Sequence, residues 1–259
     1  MKDFDGIDDV VSIPAAGPNQ AANYTVASWI FPTRTTADLY DGIFGRSWNS
    51  LTGYGTTYYQ AGPLNEQIEH FQNGVVRLTS PVGSIPPNRY CFWAVTHDGT
   101  NGRLYTARFN DRVLTLEQTT TYGDQTFENL AHSIGSAGAS GEFYLGRIGM
   151  VSIFNAALSL DQLNRLMILS FAPFHKFGTT VLNGHWPLWE SAAATALDHS
   201  DRGNNGTVTG TTVAEEPPWM TRYGTRVSIV TPAAAGAAVT QPYRKFYHGV
   251  GLGILQGVG

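Results

Sequence analysis

Two glutamates, Glu66 and Glu69, are the acidic pair that comes nearest to a hydrolytic arrangement in the 259-residue chain. Retaining glycoside hydrolysis needs two carboxyl groups that flank the scissile bond. Successive residues of a strand point to opposite faces, so a spacing of three predicts that these two carboxylates point apart. The pattern therefore favours a surface hairpin over a catalytic pair.

Other residue types that commonly carry catalysis are scattered along the chain. The seven histidines show no zinc-ligand spacing, and the sequence contains neither a Gly-x-Ser-x-Gly nucleophile turn nor a phosphate-binding loop. The single cysteine, Cys91, lies in an apolar stretch, which predicts a small buried residue without an intrachain disulfide. We therefore predict a protein that is not an enzyme and needs no cofactor.

Charge and hydropathy exclude two classes of partner. The formal net charge is −4 and only 14% of the residues are charged, so no basic surface for nucleic acid or an anionic membrane is predicted. No stretch is apolar for long enough to span a membrane, and the N-terminus lacks the apolar run of a secretory signal. We expect no nucleic-acid partner, no membrane insertion and no export by the usual signal route.

Short strands dominate the pattern of the first 170 residues. Residues 24–31 alternate cleanly and are mostly apolar on both faces, as expected of a central strand. Asn73 and Gly74 supply the positive φ angles of a tight hairpin turn. The spacing of such segments predicts about nine to twelve strands before residue 170, as in a β-sandwich.

One short helix is predicted after the long strand that begins near Glu142. Ser159 and Gln162 have the spacing of a capping box, in which each residue's side chain binds the other's backbone N–H. Leu160, Leu163 and Leu166 follow at helical spacing and are expected to share one buried face.

Five short motifs follow one another along this part of the chain. They are Phe-Asp-Gly-Ile-Asp-Asp-Val-Val-Ser-Ile-Pro at 4–14, Tyr-Thr-Val-Ala-Ser-Trp-Ile at 24–30, Phe-Trp-Ala-Val-Thr-His-Asp-Gly at 92–99, Arg-Leu-Tyr at 103–105 and Gly-Arg-Ile-Gly-Met-Val-Ser-Ile-Phe-Asn-Ala-Ala-Leu-Ser at 146–159. In this order they resemble the concanavalin A-like lectin/glucanase superfamily, most closely its laminin-G-like branch. The resemblance covers nearly all of residues 1–168. It implies an all-β fold in which two antiparallel sheets form a jelly-roll sandwich, and the Glu-x-Asp-x-x-Glu strand of the family's glucanases is missing here.

A second stretch resembles the beginning of the same family. Gly-His-Trp-Pro-Leu-Trp at 184–189 and Asp-His-Ser-Asp-Arg-Gly-Asn-Asn-Gly-Thr at 198–207 look like its opening strand and loop, which normally precede the Phe-Asp-Gly motif. We predict a circularly permuted order in which 183–213 completes a sandwich spanning 1–213. The alternative is a truncated second domain, although few residues follow to bury another core.

Residues 214–259 differ in composition from the rest of the chain. They are rich in Gly, Ala and Pro, carry few charges and hold isolated aromatic residues. We predict an extended arm that contacts another copy of the protein, partly through an exposed sheet edge. The aromatic anchors would be Trp219, Tyr243, Phe246 and Tyr247. An arm packed on its own domain is the alternative.

Two kinds of binding site are considered. Laminin-G-like domains often bind calcium through loop oxygens, so the resemblance makes Ca²⁺ the one ion to consider. Its candidate ligands are Asp8, Asp9, Asp98 and Asn101, or alternatively Asp198, Asp201 and Asn204. Asp and Asn are also favoured in turns for conformational reasons, which is the simpler interpretation.

Aromatic residues on either side of a glycine-rich loop suggest a carbohydrate site. Exposed rings stack on the apolar face of a pyranose, a use that suits amphipathic aromatic side chains. The candidates are Trp48, Tyr54, Tyr58 and Tyr59. The alternative is that these rings belong to the core or to an interface.

The absence of an export signal and of a catalytic set suggests two functions. The chain resembles virion proteins of tailed bacteriophages, which implies a non-enzymatic structural protein on the virion surface, assembled in the host cytoplasm. Such a protein would be a capsid decoration protein or a tail- or fibre-associated protein. Its expected partners are other copies of itself, capsid or tail proteins, and a glycan. The alternative is a lectin module that binds cell-surface carbohydrates.

Overall fold

The computed structural model describes residues 1–14, 23–34, 39–46, 53–60, 66–123, 131–136, 142–168, 181–189 and 194–214. The chain divides into two units, Met1–Arg222 and Tyr223–Gly259, and all described residues belong to the first. The predicted arm anchors, Trp219, Tyr243, Phe246 and Tyr247, lie outside the described residues.

Strands make up most of the regular structure, with one helix after the twelfth strand. In chain order the elements are β1 (Lys2–Asp5), β2 (Val10–Ile13), β3 (Asn23–Pro32), β4 (Leu39–Arg46), β5 (Tyr54–Gln60), β6 (Glu66–Gln72), β7 (Val75–Thr79), β8 (Cys91–Asp98), β9 (Asn101–Arg108), β10 (Thr115–Thr121), β11 (His132–Ile134), β12 (Leu145–Phe154), α1 (Leu160–Ile168), β13 (Leu182–Trp186), β14 (Thr195–Ala196), β15 (Gly206–Thr209) and β16 (Thr212–Val213).

The strands form two antiparallel sheets of eight strands each. The first sheet has the order β10-β9-β8-β3-β12-β1-β16, and β13 also pairs with β12. The second sheet has the order β14-β15-β2-β11-β4-β5-β6-β7. The predicted all-β sandwich is confirmed.

Residues 182–213 contribute strands to both sheets. β13 pairs with β12 along Val151–Phe154, while β1 pairs with the same strand along Leu145–Ile148. In the second sheet, β15 lies between β2 and β14. β16 extends the edge of the first sheet beyond β1. Strands of residues 182–213 are therefore hydrogen-bonded to strands that precede the helix.

Strand β3 shows why the sandwich needs two buried layers. It is paired on both edges, with β8 and with β12, as predicted for a central strand. Tyr24, Val26 and Ile30 point into the core between the sheets, while Ala27 and Trp29 point to the outer face of the first sheet. Because both faces are apolar, burying them both requires a cover on the outer side.

Helix α1 supplies part of that cover. Leu163, Leu166 and Met167 are buried against the outer face of the first sheet, in one cluster with residues of β3, β8 and β12. Leu160 is 40% exposed, so its predicted place on the buried face is wrong; Met167 completes the buried stripe instead. None of the described helical residues forms a segment long and apolar enough to cross a membrane.

Three local predictions are confirmed. The backbone N–H of Ser159 donates to Gln162 Oε1 at 2.8 Å, and the N–H of Gln162 donates to Ser159 Oγ at 3.3 Å, which is a capping box. Asn73 and Gly74 have φ angles of 58° and 67° and connect β6 to β7. Cys91 is a free buried thiol, and burial raises its pKa to about 12.

Candidate functional site

The outer face of the second sheet carries polar and aromatic side chains on its central strands β4, β5 and β6. Tyr54, Tyr58 and Ile68 point into the core between the sheets, so the residues that alternate with them point outwards. Cross-strand pairing places the outward residues in three rows. The first row holds Tyr40, Tyr59 and Gln67, the middle row Gly42, Thr57 and Glu69, and the third Gly55 and Phe71. We call this group the tyrosine face.

Aromatic rings bridge the middle row of the tyrosine face. The rings of Tyr40 and Tyr59 are stacked, with centroids 4.5 Å apart and planes at 20°. Tyr40 also meets Phe71 edge-on at 5.9 Å. Because Tyr59 and Phe71 lie on opposite sides of the middle row, these contacts place the Tyr40 ring above it. Gly42 has no side chain to fill that space.

Two polar side chains lie buried beneath the rings, and each has an oxygen without a hydrogen-bond partner among the described residues. Thr57 is fully buried and Glu69 is 8% exposed, and the two are direct cross-strand neighbours. Within the described part of the chain, neither Thr57 Oγ1 nor Glu69 Oε2 has a hydrogen-bond partner. Leaving such atoms unsatisfied costs about 1–3 kcal/mol each, so their presence calls for a functional explanation.

The electrostatics of the tyrosine face are dominated by carboxylates. Burial raises the pKa of Glu69. Burial also raises the pKa of Tyr40, and the charges of Glu69 and Glu142 add to this shift. The neighbouring charges that act most strongly on Tyr40 are therefore negative. The face is therefore suited to hydroxyl or ammonium donors that approach an aromatic surface.

The sequence predicted four aromatic residues for a carbohydrate site, and the structure separates them. Tyr54 and Tyr58 are fully buried between the sheets, so their predicted exposure is wrong. They alternate with Thr57 and Tyr59 along β5, and neighbours on a strand cannot share a face. Tyr59 is half-buried and does lie on the outer side. Trp48 lies outside the described residues.

Sequence reasoning missed most of the tyrosine face. Tyr40, Thr57 and Phe71 were not considered, and Glu69 was interpreted as part of a surface hairpin. Period-two alternation along β5 and β6 was the available signal, since Tyr59 shares a face with Thr57 and Glu69 shares one with Phe71. The proximity of Tyr40 to Phe71 depends on the register of three strands, which the alternation of one strand does not specify.

The first predicted calcium set is divided between opposite ends of the first sheet. Asp98 pairs with Asn23, where β3 begins. Asp8 and Asp9 follow Asp5, which pairs with Leu145 beside the end of β3. A ten-residue strand is about 30 Å long, so Asp8 and Asp9 cannot share one ion with Asp98 and Asn101.

Asp98 and Asn101 serve the turn between β8 and β9. Asp98 Oδ1 accepts hydrogen bonds from the backbone N–H groups of Thr100 and Asn101, and Arg103 donates to its Oδ2. These bonds, led by that from Asn101, lower the pKa of Asp98 to about 2. The hydroxyl of Thr121 donates to Asn101 Oδ1. The turn interpretation accounts for both side chains.

Three carboxylates gather at the end of β1 and in the loop that follows it. Asp5, Asp8 and Asp9 each offer an oxygen within 4.8 Å of the others. Burial and the neighbouring charges of Asp5 and Asp8 raise the pKa of Asp9, while the backbone N–H of Asp5, which donates to it, has the opposite effect. Hard oxygen ligands of this kind suit Ca²⁺. The sequence had named Asp8 and Asp9 but not Asp5.

Both carboxylate oxygens of Asp198, which belongs to the alternative calcium set, already accept hydrogen bonds within the protein. Its two oxygens accept hydrogen bonds from the backbone N–H groups of His185, Ser200 and Asn204 and from the hydroxyl of Ser200. Asn204 in turn donates from its amide to the carbonyl of Asn183. Asp201 lies in a turn with a φ of 65°. These residues organise a loop between β14 and β15.

Several solved structures are similar to this chain. A native heptameric SAP-like pentraxin from Limulus polyphemus superposes with a TM-score of 0.50 at 14% identity, covering 64% of this chain and 80% of its own. A Ruminococcus gnavus sialidase CBM40 bound to sialyllactose gives 0.46 at 12% identity, over 63% and 95%. A tailspike protein of Escherichia coli O157:H7 bacteriophage CAB120 gives 0.41 at 12% identity, over 67% of this chain and 24% of its own.

Sequence comparison identifies the family of the chain, which the structural similarities do not do by themselves. No curated protein sequence matches the chain significantly. The family described as the concanavalin A-like lectin/glucanases superfamily matches residues 5–164, which is more than half of the chain. With the two-sheet sandwich in place, this match establishes that the chain belongs to the concanavalin A-like lectin/glucanase superfamily.

Proposed function

We propose that the protein is a non-enzymatic, lectin-like protein that binds a saccharide on its tyrosine face. The observation that carries this proposal is a pair of buried oxygens, Thr57 Oγ1 and Glu69 Oε2, which lie beneath half-buried aromatic rings and have no hydrogen-bond partner among the described residues. Saccharide sites combine an aromatic surface with a few fixed polar groups. The tyrosine face has both.

The chemistry of the face matches the two sides of a sugar ring. The apolar C–H face of a pyranose would stack on the ring of Tyr59, which is stacked on Tyr40 in the free protein. Hydroxyl groups at its edge would donate to Glu69 and Thr57, which satisfies atoms that are unsatisfied in the free protein. For this contact the ring of Tyr40 turns away from the middle row. Changes of side-chain rotamer at a binding surface are common when a partner binds.

A binding role fits the face better than hydrolysis. Glu69 and Glu66 lie on opposite faces of β6, as their spacing predicted, since Ile68 and His70 of the Glu66 side point into the sandwich. Two carboxylates on opposite faces cannot flank one glycosidic bond. The proposed role of Glu69 is therefore to accept hydrogen bonds.

A glycan array probed with the purified protein tests the proposal, with the same array probed by Tyr59→Ala. We expect the wild type to retain defined saccharides and the variant to lose them or to bind them at least about tenfold more weakly, a difference of about 1.4 kcal/mol, because the stacking surface is removed. Phe31→Ala is the matched control, since Phe31 is also half-buried and contacts another ring, that of Tyr90 at 4.6 Å between centroids, but lies on the first sheet.

The array result separates the proposal from simple destabilisation. Loss of signal in Tyr59→Ala but not in Phe31→Ala supports binding at the tyrosine face. Equal loss in both variants, or no retained saccharide with the wild type, would overturn it. Circular dichroism of the three proteins confirms that each is folded before the arrays are compared.

We also propose that this lectin-like domain belongs to a virion structural protein that assembles with itself and with capsid or tail proteins on the particle surface. The sequence resemblance to phage virion proteins supports this role, as does the composition of the C-terminal segment. That segment combines Gly- and Ala-rich runs with isolated aromatic residues such as Trp219 and Tyr243. Segments of this kind cannot bury a core alone and gain stability from a partner surface.

Light scattering of the full chain beside a version that ends at Arg222 tests the assembly role. This truncation keeps every described strand and removes the second unit. We expect the full chain to be an oligomer and the truncated protein a folded monomer. If both are monomers, the segment has no assembly role and the virion proposal loses its main support, while saccharide binding is unaffected.

A further inference from the structure

We propose that the tyrosine face selects saccharides that carry a protonated amine and discriminates against saccharides that carry a carboxylate. This inference rests on the proposed function of the same face, and it assigns the discriminating role to Glu69. It follows from three features of the site, namely the burial of the carboxylate, the sign of the surrounding charge and the aromatic cover.

The first feature is a carboxylate that the chain itself does not satisfy. Glu69 is 8% exposed, and its Oε2 has no hydrogen-bond partner among the described residues. Its cross-strand neighbours on the outer side are Thr57 and Thr79, both without charge. A buried carboxylate is costly unless a cation or several donors accompany it. The complementary ligand group is therefore one that brings a positive charge or strong donors.

The second feature is that the nearby charges are negative. Glu142 acts on Tyr40 together with Glu69, so two carboxylates border the ring that covers the middle row. A ligand carboxylate would be repelled by both groups, and repulsion between like charges is strong where water is excluded.

The third feature is the aromatic cover. Tyr40 and Tyr59 present stacked rings beside the carboxylate, and Phe71 closes the other side. An ammonium group within about 6 Å of a tyrosine ring gains a cation–π attraction, which adds to its ion pair with a buried carboxylate. An N-acetyl group keeps a hydrogen-bond donor but loses the charge. The amine form should therefore bind more tightly than its acetylated counterpart.

Three matched trisaccharides test this inference on the full chain by isothermal titration calorimetry near pH 6, where sugar amines are protonated. They are the glucosamine trimer, its fully N-acetylated form and the galacturonate trimer. We expect the glucosamine trimer to bind about tenfold more tightly than the acetylated trimer, a difference of about 1.4 kcal/mol, and the galacturonate trimer to bind most weakly.

Glu69→Gln and Glu66→Gln form the matched pair of variants. Each removes one negative charge from the same strand, but Glu66 lies on the side of β6 that faces the sandwich. We expect Glu69→Gln to bring the amine and acetylated trimers within about twofold of each other, whereas Glu66→Gln keeps the wild-type preference. Attraction of an amine to the overall negative charge would affect both variants equally.

The outcomes distinguish a failure of this inference from a failure of the proposed function. If the acetylated or galacturonate trimer binds as tightly as the glucosamine trimer, or if Glu66→Gln and Glu69→Gln weaken the amine equally, the inference is wrong and saccharide binding stands. If none of the three trimers binds, and the glycan array with wild-type protein is also blank, the proposed function fails along with it.

Discussion

The outer face of the first sheet buries Trp29, Phe92 and Phe154 in one cluster with helix α1, whereas the outer face of the second sheet buries Thr57 and Glu69 under the ring of Tyr40. Both faces are built by antiparallel strands with the same alternation of side chains. The first sheet uses its outward positions for a second apolar layer. The second sheet places aromatic rings there together with two buried oxygens, of Thr57 and Glu69, that have no hydrogen-bond partner among the described residues.

Under the proposed function, the difference separates stability from recognition within one sandwich. Apolar burial on the first sheet contributes about 25 cal/mol for each Å² removed from water. Thr57 and Glu69 contribute no such gain, and their unsatisfied atoms reduce stability. A group that costs stability in the free protein is expected where a ligand completes its contacts. The comparison therefore predicts opposite effects when each face is mutated.

The largest expected effect comes from helix α1. Leu163 is fully buried in the apolar cluster, so Leu163→Ala removes packed methyl groups and leaves a cavity. We expect a loss of about 3 kcal/mol in the free energy of unfolding, measured in urea. Saccharide binding, measured on the folded protein, should be unchanged because the helix lies on the other sheet.

Leu160→Ala is the control for that experiment. Leu160 belongs to the same helix but is 40% exposed, so we expect a change within about 0.5 kcal/mol. If Leu160→Ala were as damaging as Leu163→Ala, the helix would be buried by something beyond the first sheet. If Leu163→Ala weakened saccharide binding, the two faces would be coupled.

Glu69→Gln should have the opposite sign on the second sheet. Burial raises the pKa of Glu69, so the unfolded chain releases this proton at a lower pH than the folded chain does. Stability contributed by this site is therefore present below the unfolded pKa and decreases as pH rises through the folded pKa. Glutamine cannot ionise, so we expect the variant to be more stable than the wild type at pH 7.5 and the difference to shrink at pH 4.

Unfolding in urea at pH 4 and at pH 7.5 isolates this contribution. Other buried groups also titrate, since burial raises the pKa of Asp41 to about 7 and lowers that of His70 and His132 to about 3. These groups are present in both proteins, so they cancel in the difference between variant and wild type. A variant that is less stable at pH 7.5 would mean that Glu69 already has a favourable partner.

Local patterns in the sequence predicted the elements of the fold well. The alternation at 24–31 predicted a central strand, and the capping box of Ser159 and Gln162 predicted the start of α1. Each depends on residues a few positions apart, where backbone geometry alone relates spacing to contact. The order of the five family motifs then predicted two packed sheets, which the structure contains.

The site was predicted poorly because it depends on register. Tyr58 and Tyr59 were grouped as one aromatic surface, although adjacent residues of a strand face opposite ways. Asp9 and Asp98 were grouped as ligands of one ion, although pairing places them at opposite ends of β3. Composition can suggest which side chains could act together. Cross-strand register, fixed by packing between distant segments, decides which of them meet.

The smallest expected effect tests whether the two outer faces are independent. Ser159 is exposed and caps α1, so Ser159→Ala removes one hydrogen bond at the helix start and should lower the free energy of unfolding by about 1 kcal/mol. Ser159→Asp retains a capping oxygen beside the positive end of the helix dipole and should restore most of that loss. Both variants should bind saccharides as the wild type does, since the capping box touches only the helix. A parallel loss of saccharide binding in Ser159→Ala, reversed in Ser159→Asp, would show that the cover of the first sheet also supports the tyrosine face.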